Sequence, residues 1–185
     1  FNKLDKDYLF NYALNLYKGN RVAIDKVAAA KYLKISIEKG HDEAMLFYGQ
    51  MLENGDGITA EPSIAIDYYK KASDKGNISA SYNYALMLYD GKGIDSDKKE
   101  ASIYFKKAAD EDHLNAIIKY SQMKYDGDGI PADKKEASIY FKKAADKGDL
   151  NSIIKYSQMK YNGDGIPVDR KEANIYYKIA ADKGD

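Results

Sequence analysis

One string recurs along this chain at a fixed interval of 36 residues. GDGIPADKKEA begins at Gly127 and GDGIPVDRKEA at Gly163, while GKGIDSDKKEA begins at Gly91. The weaker copies GDGITAEPSIA and GNRVAIDKVAA begin at Gly55 and Gly19. No insertion or deletion breaks the series, so residues 1–185 read as a single array of five repeats, 5–40, 41–76, 77–112, 113–148 and 149–184. The last two are near copies: 114–148 and 150–184 differ at 7 of 35 positions. A period of this length marks a supersecondary unit that cannot bury its apolar face alone and is stabilised by stacking on its neighbours. The chain opens on Phe1-Asn2-Lys3-Leu4, neither an initiator methionine nor a signal peptide, and reads as a fragment of a longer polypeptide.

Residue types sort by column. Thirteen of the 14 glycines fall at 19/55/91/127/163, 57/93/129/165 or 40/76/148/184, where turns and helix ends need positive φ. Between them lie two apolar-periodic stretches per repeat. Ala116, Ile117, Tyr120 and Met123 form one helical face, and Ala137, Tyr140, Phe141, Ala144 and Ala145 another. This pattern predicts helix A over about Asn115–Asp126 and helix B over about Lys134–Lys147, with matching offsets elsewhere. Asp97, Asp133 and Asp169 each stand three residues before a glutamate (Glu100, Glu136, Glu172), the spacing of a capping box; Glu61-Pro62 replaces it in the second repeat. The expected class is all-α, with ten helices and no strand.

These residues carry a resemblance. Ala80, Tyr84-Ala85, Tyr89, Gly91-Lys92-Gly93-Ile94, Asp97, Ala101, Tyr104-Phe105 and Lys107-Ala108-Ala109 resemble the Sel-one-like repeat, a variant of the tetratricopeptide superfamily. The match extends over essentially the whole chain. It departs where Leu-Gly becomes Tyr-Gly, Tyr-Ala or Tyr-Ser, and in the first repeat, where Arg21 stands in the second glycine column. The resemblance implies an α/α right-handed superhelical solenoid whose A helices line a concave surface. It also implies a non-catalytic adaptor that brings proteins together, in a chain with no cysteine for the disulfides of some bacterial relatives.

Composition narrows the partners. Lys plus Arg equals Asp plus Glu at 29 each, so there is no basic footprint for nucleic acid or anionic lipid. No apolar run is long enough to insert in a membrane. A cytoplasmic location is the expectation, with no cofactor and no metal. The acidic loop from Asp126 to Asp133 fails as a calcium loop, because Ile130 and Ala137 occupy positions that need oxygen ligands. His41 and His113 lie two repeats apart and read as caps or exposed residues. Fourteen of the 18 tyrosines are repeat columns and read as packing residues whose hydroxyls reach a partner. No nucleophile, base and orienting group can be assembled, so no enzyme is expected.

What the repeat does not dictate is one stripe along helix A. It reads Asp7/Glu43/Ser79/Asn115/Asn151, then Asn11/Phe47/Asn83/Lys119/Lys155, then Leu14/Gln50/Leu86/Gln122/Gln158, then Lys18/Asn54/Asp90/Asp126/Asn162. In the family's geometry this stripe lines the groove. Asn83, Asn115, Lys119, Gln122, Asn151, Lys155 and Gln158 are therefore the candidate contacts for a protein or peptide partner, an acidic one if the lysines grip it. Lys119 and Lys155 are expected to be exposed. The alternative is a structural component packed into a larger filament or assembly through its convex faces. The outward side of the fifth repeat still bears internal-type residues, Ile175, Tyr176 and Ile179, and is expected to need cover.

Overall fold

A computed structural model describes residues 5–184, which form ten α-helices and no strand. They are α1 (Lys6–Lys18), α2 (Lys26–Glu38), α3 (Asp42–Asn54), α4 (Pro62–Asp74), α5 (Ile78–Asp90), α6 (Lys98–Asp110), α7 (Leu114–Asp126), α8 (Lys134–Asp146), α9 (Leu150–Asn162) and α10 (Arg170–Gly184). The odd-numbered helices are the A helices and the even-numbered ones the B helices. The chain is an α/α solenoid in which helical hairpins stack on their neighbours. It divides into two compact units, Phe1–Ser96 with α1–α5 and Asp97–Asp185 with α6–α10. In the first unit α1 packs on α2, α3 on α4, and each hairpin on the next helix; α6 through α10 do the same in the second.

Local chemistry sets the helix ends. Each A helix stops at a left-handed glycine; at Gly127, φ is 73° and the amide donates to Met123 O. The backbone then folds back on the helix it has left, as Asp133 N donates to Lys124 O at 2.7 Å and Asp169 N to Lys160 O at 2.9 Å. That bond fixes the hairpin. Helix B starts where the expected acid caps it: Asp97, Asp133 and Asp169 accept from the amides of Glu100, Glu136 and Glu172 at 2.8–2.9 Å. The capping box is only half made. Glu136 turns instead to Tyr120 Oη and Lys124 Nζ, both at 2.8 Å, and Glu172 to Tyr156 Oη at 2.8 Å and Lys160 Nζ at 2.7 Å. Each carboxylate thereby ties helix B to helix A of its own repeat.

His41 and His113 cap helix A, accepting at Nδ1 from Ala44 N (3.1 Å) and Ala116 N (3.3 Å), so Nδ1 carries no proton. Burial lowers the His113 pKa and favours that neutral form. The tyrosine columns meet edge to face. Tyr12–Tyr32, Tyr48–Tyr68, Tyr120–Tyr140 and Tyr156–Tyr176 have ring centroids 4.8–5.0 Å apart and interplanar angles of 78–90°. Such a pair adds about 1 kcal/mol beyond its buried area. Alanine columns close the core, with Ala101, Ala108, Ala137 and Ala144 wholly inaccessible.

Candidate partner-binding surface

The helix A stripe is built differently in the two units. In the first, α1, α2, α3 and α5 surround a pocket of about 280 Å³. Ala13, Leu14, Leu33, Phe47 and Met51 form its apolar wall, with Gln50, Glu53, Asn54, Asn83 and Tyr17 supplying polar groups. Leu14, Phe47, Gln50, Asn54 and Asn83 are stripe positions, so the helical spacing does bring them together here. Glu53 accepts from Tyr69 Oη at 2.7 Å and pairs with Lys92 at 2.8 Å. Burial, with the Glu53 hydrogen bond and charge behind it, pushes the Tyr69 phenol far up, and a hydrogen bond from the Asn83 amide opposes this. Tyr69 fits because Gly49 has no side chain: a Cβ there would stand 2.8 Å from the tyrosine ring. The tyrosine hydroxyl thus fixes both Glu53 and Asn83 at the pocket.

In the second unit the stripe is a polar ladder. Asn115, Gln122, Asn151 and Gln158 are exposed. The Gln122 amide donates to Asp126 at 2.5 Å. Lys119 and Lys155 are half-buried rather than exposed. The cause at Lys155 is Tyr125, whose ring centroid lies 3.5 Å from the ammonium. The side chain lies against an aromatic face, and its stem gains contact there. Asp164, held below its usual range by hydrogen bonds from Lys134 and Tyr125, also feels the Lys155 charge.

The loop acids, which fail as calcium ligands by spacing, have a structural task. Asp56 accepts from Lys26 Nζ and Tyr17 Oη, both at 2.5 Å and both from the preceding repeat. Asp128 pairs with Lys98 at 2.7 Å, and Asp164 with Lys134 at 2.7 Å and with the Tyr125 hydroxyl. These clasps join one repeat to the next. A signal for them stands in the sequence: where Tyr17, Tyr89 and Tyr125 give way to Glu53, the residue 39 positions on changes from aspartate to Lys92. Among the described residues, no group of three or more His, Cys, Asp or Glu side chains could hold a metal. No helix there is long and apolar enough to cross a membrane.

Comparison with known proteins agrees with this architecture. Over 97% of its length the chain superposes, at 22% identity and a TM-score of 0.93, on a protective antigen of uropathogenic Escherichia coli strains that displays an SLR fold. It spans only 38% of that protein. A Sel1 repeat protein from Oxalobacter formigenes is similar over 97% of this chain and 74% of its own, at 24% identity and a TM-score of 0.87. Helicobacter pylori cysteine rich protein B is similar over 66% of this chain and 93% of its own, at 21% identity and a TM-score of 0.54. These identities speak for fold alone. No curated protein matches the chain. The Sel1 repeat pattern itself matches at residues 7–41, 42–77, 78–113, 114–149 and 151–185, and the chain belongs to the Sel1 repeat family.

Proposed function

We propose that this protein is a non-catalytic adaptor that holds a partner polypeptide on its A helices. Sel1 repeat proteins are generally interaction scaffolds. The observation that carries the reading is the pocket on α1, α2, α3 and α5, whose apolar floor and amide rim suit one aliphatic or aromatic side chain and its flanking peptide bonds. Asn83 is the candidate contact there. In the second unit Asn115, Gln122, Asn151 and Gln158 offer amides to an extended backbone, and Lys119 and Lys155 favour an acidic residue beside it. Many weak contacts of this kind add through effective concentration.

The test is affinity capture with the full chain, comparing Leu14→Arg and the pair Asn115→Ala/Asn151→Ala with the parent. Loss of the captured partner in both supports the reading; full retention in both overturns it. A second reading, lateral packing in a larger assembly, is favoured by Ile103, Ile139 and Ile175 on the B helices. They recur at the repeat interval and are 60–62% exposed. Capture lost in Ile103→Arg/Ile139→Arg but kept in the A-helix variants would select it.

A further inference from the structure

The pocket on α1, α2, α3 and α5 is built from residues that do not recur along the repeat series. Leu14 and Phe47 meet there, whereas the Phe47 column elsewhere holds Asn11, Asn83, Lys119 and Lys155. Phe47 is braced edge-on by Phe10, with ring centroids 5.5 Å apart. Beside the pocket stands Tyr69, a fully buried phenol in a column that reads Leu33, Phe105 and Phe141 in other repeats. Its hydroxyl donates to Glu53 at 2.7 Å and accepts from the Asn83 amide. Asn83 and Glu53 both line the pocket, and both keep acceptor capacity: the Asn83 amide oxygen and the unused lone pairs of the Glu53 carboxylate.

The charges of the pocket are already matched. Its ionisable lining residues are Tyr17 and Glu53. Glu53 pairs with Lys92 at 2.8 Å, and Tyr17 donates to Asp56, which Lys26 neutralises. A charged occupant would therefore enter without a counterion, and desolvating it there costs more than the contacts return. The side-chain amides of Gln50 and Asn54 make no hydrogen bond among the described residues, so the rim is polar yet neutral. Size narrows the occupant further. An apolar cavity of about 150 Å³ holds one benzene ring, and this pocket has about 280 Å³. That is room for two fused rings. An aliphatic side chain has no donor for the held oxygens, lysine and arginine carry a charge, and tyrosine has a single ring.

We propose that the pocket takes the indole of a tryptophan in a partner protein, with the ring against Leu14 and Phe47 and the N–H donated to the oxygens that Tyr69 holds on Asn83 and Glu53. The proposal rests on the reading of the A helices as the partner-binding surface and names the side chain that anchors there. Indole is a neutral donor with no acceptor, which suits a rim of fixed oxygens. It leaves the Glu53–Lys92 pair in place. Residues 1–185 contain no tryptophan, so a second copy of them does not supply the anchor. Tyr69 acts as a positioning residue, because it fixes the acceptors without being exposed itself.

The experiment titrates four probes into the isotope-labelled chain and follows backbone amide chemical shifts. They are the N-acetyl amides of tryptophan, 1-naphthylalanine, leucine and arginine. Naphthylalanine keeps two fused rings and lacks the N–H. The tryptophan probe should bind the parent at least about five-fold tighter than each of the others, the worth of one hydrogen bond in a partly open site. Its shifts should centre on residues 13–17, 47–54 and 83, and Leu14→Arg should abolish them. Tyr69→Phe installs the residue that this column has at Phe105 and Phe141. It should leave naphthylalanine binding unchanged and bring the tryptophan probe to within about two-fold of it. The proposal is overturned if leucine or naphthylalanine binds the parent as tightly as tryptophan, if no probe binds, if Leu14→Arg leaves tryptophan binding intact, or if Tyr69→Phe keeps the parental preference. Partner capture separates this from the broader reading. Capture that depends on Leu14 while the tryptophan probe fails sinks the indole and keeps the adaptor. Tryptophan binding with capture unaffected in the A-helix variants keeps the indole site and sinks the adaptor.

Discussion

Gly93→Ala and Gly76→Ala separate two reasons for a glycine. Both positions have positive φ, 80° and 91°, so an added methyl costs each about 1–2 kcal/mol of left-handed strain. Only one of them is crowded. A Cβ on Gly93 would stand 2.5 Å from Pro62 C, 2.7 Å from Pro62 O and 2.7 Å from Ser63 N, all backbone atoms at the start of α4. On Gly76 it would meet nothing within 4 Å. Backbone cannot rotate aside as a flexible side chain can, so the loop must lift off α4, a cost comparable to core overpacking at about 1–3 kcal/mol. The expected losses are about 1 kcal/mol for Gly76→Ala and about 3 kcal/mol for Gly93→Ala. Urea unfolding followed by far-ultraviolet circular dichroism measures both, and hydrogen exchange should show the larger loss as faster opening of α4 and α5. Equal costs for the two variants would refute the assignment of the Gly57/93/129/165 column to repeat docking.

Asp133→Ala should cost about 1 kcal/mol, the usual worth of an N-cap, and Glu136→Ala a similar amount through Tyr120 and Lys124; an unchanged urea midpoint in either would count against its assigned contact. Because burial holds the His113 pKa below its ordinary 6.5, the unfolded chain takes up the proton first as pH falls through that value. The parent should therefore lose stability below about pH 6.5, down to the folded-state pKa. His113→Asn, the residue this column has at Asn77, should keep the cap and remove that part of the loss in melts at pH 7.5 and pH 5. Glu53→Tyr and Lys92→Asp should each destabilise alone and partly restore each other, with a coupling of about 0.5–1 kcal/mol in a double-mutant cycle; additive losses would deny the clasp.

What the sequence revealed was what short-range physics controls. Helix spans came out within a residue of α7 and α8, because periodicity, the Gly127 stop and the Asp133 cap all act within one turn. The same spacing rule placed Leu14, Phe47, Gln50 and Asn83 on one surface. It could not show that Glu136 prefers Tyr120 and Lys124 to its own helix end, since that choice depends on how α7 meets α8. Nor could it show Lys155 lying on Tyr125, a contact between different repeats. The pocket also escaped the pattern. Gly49 keeps the glycine of the family's Leu-Gly pair where other repeats have alanine or serine, and its use is seen only once Tyr69 occupies the space beside it and orients Glu53.

The clasps show how a chain of similar repeats keeps its order. The Asp56 and Asp164 junctions each bring one cation, one carboxylate and one phenol together. At the junction between the second and third repeats Pro62 fills the helix B position that elsewhere carries the lysine, and it has no charge to give. A loop aspartate there would face Glu53 with no cation between them. Instead Lys92 supplies the charge from the loop, 2.8 Å from Glu53, and Glu53 keeps its phenol through Tyr69. The three components persist with their positions exchanged. A slipped register that set the Lys92 loop against Tyr125 and Lys134 would bring two ammonium groups together, and the Asp164 loop against Glu53 would bring two carboxylates together. Exposed pairs of this kind add at most about 1 kcal/mol each to stability, so their larger effect is on which repeat can follow which. Because α4 begins at Pro62, the second repeat accepts a lysine loop and disfavours the aspartate loops of the other repeats.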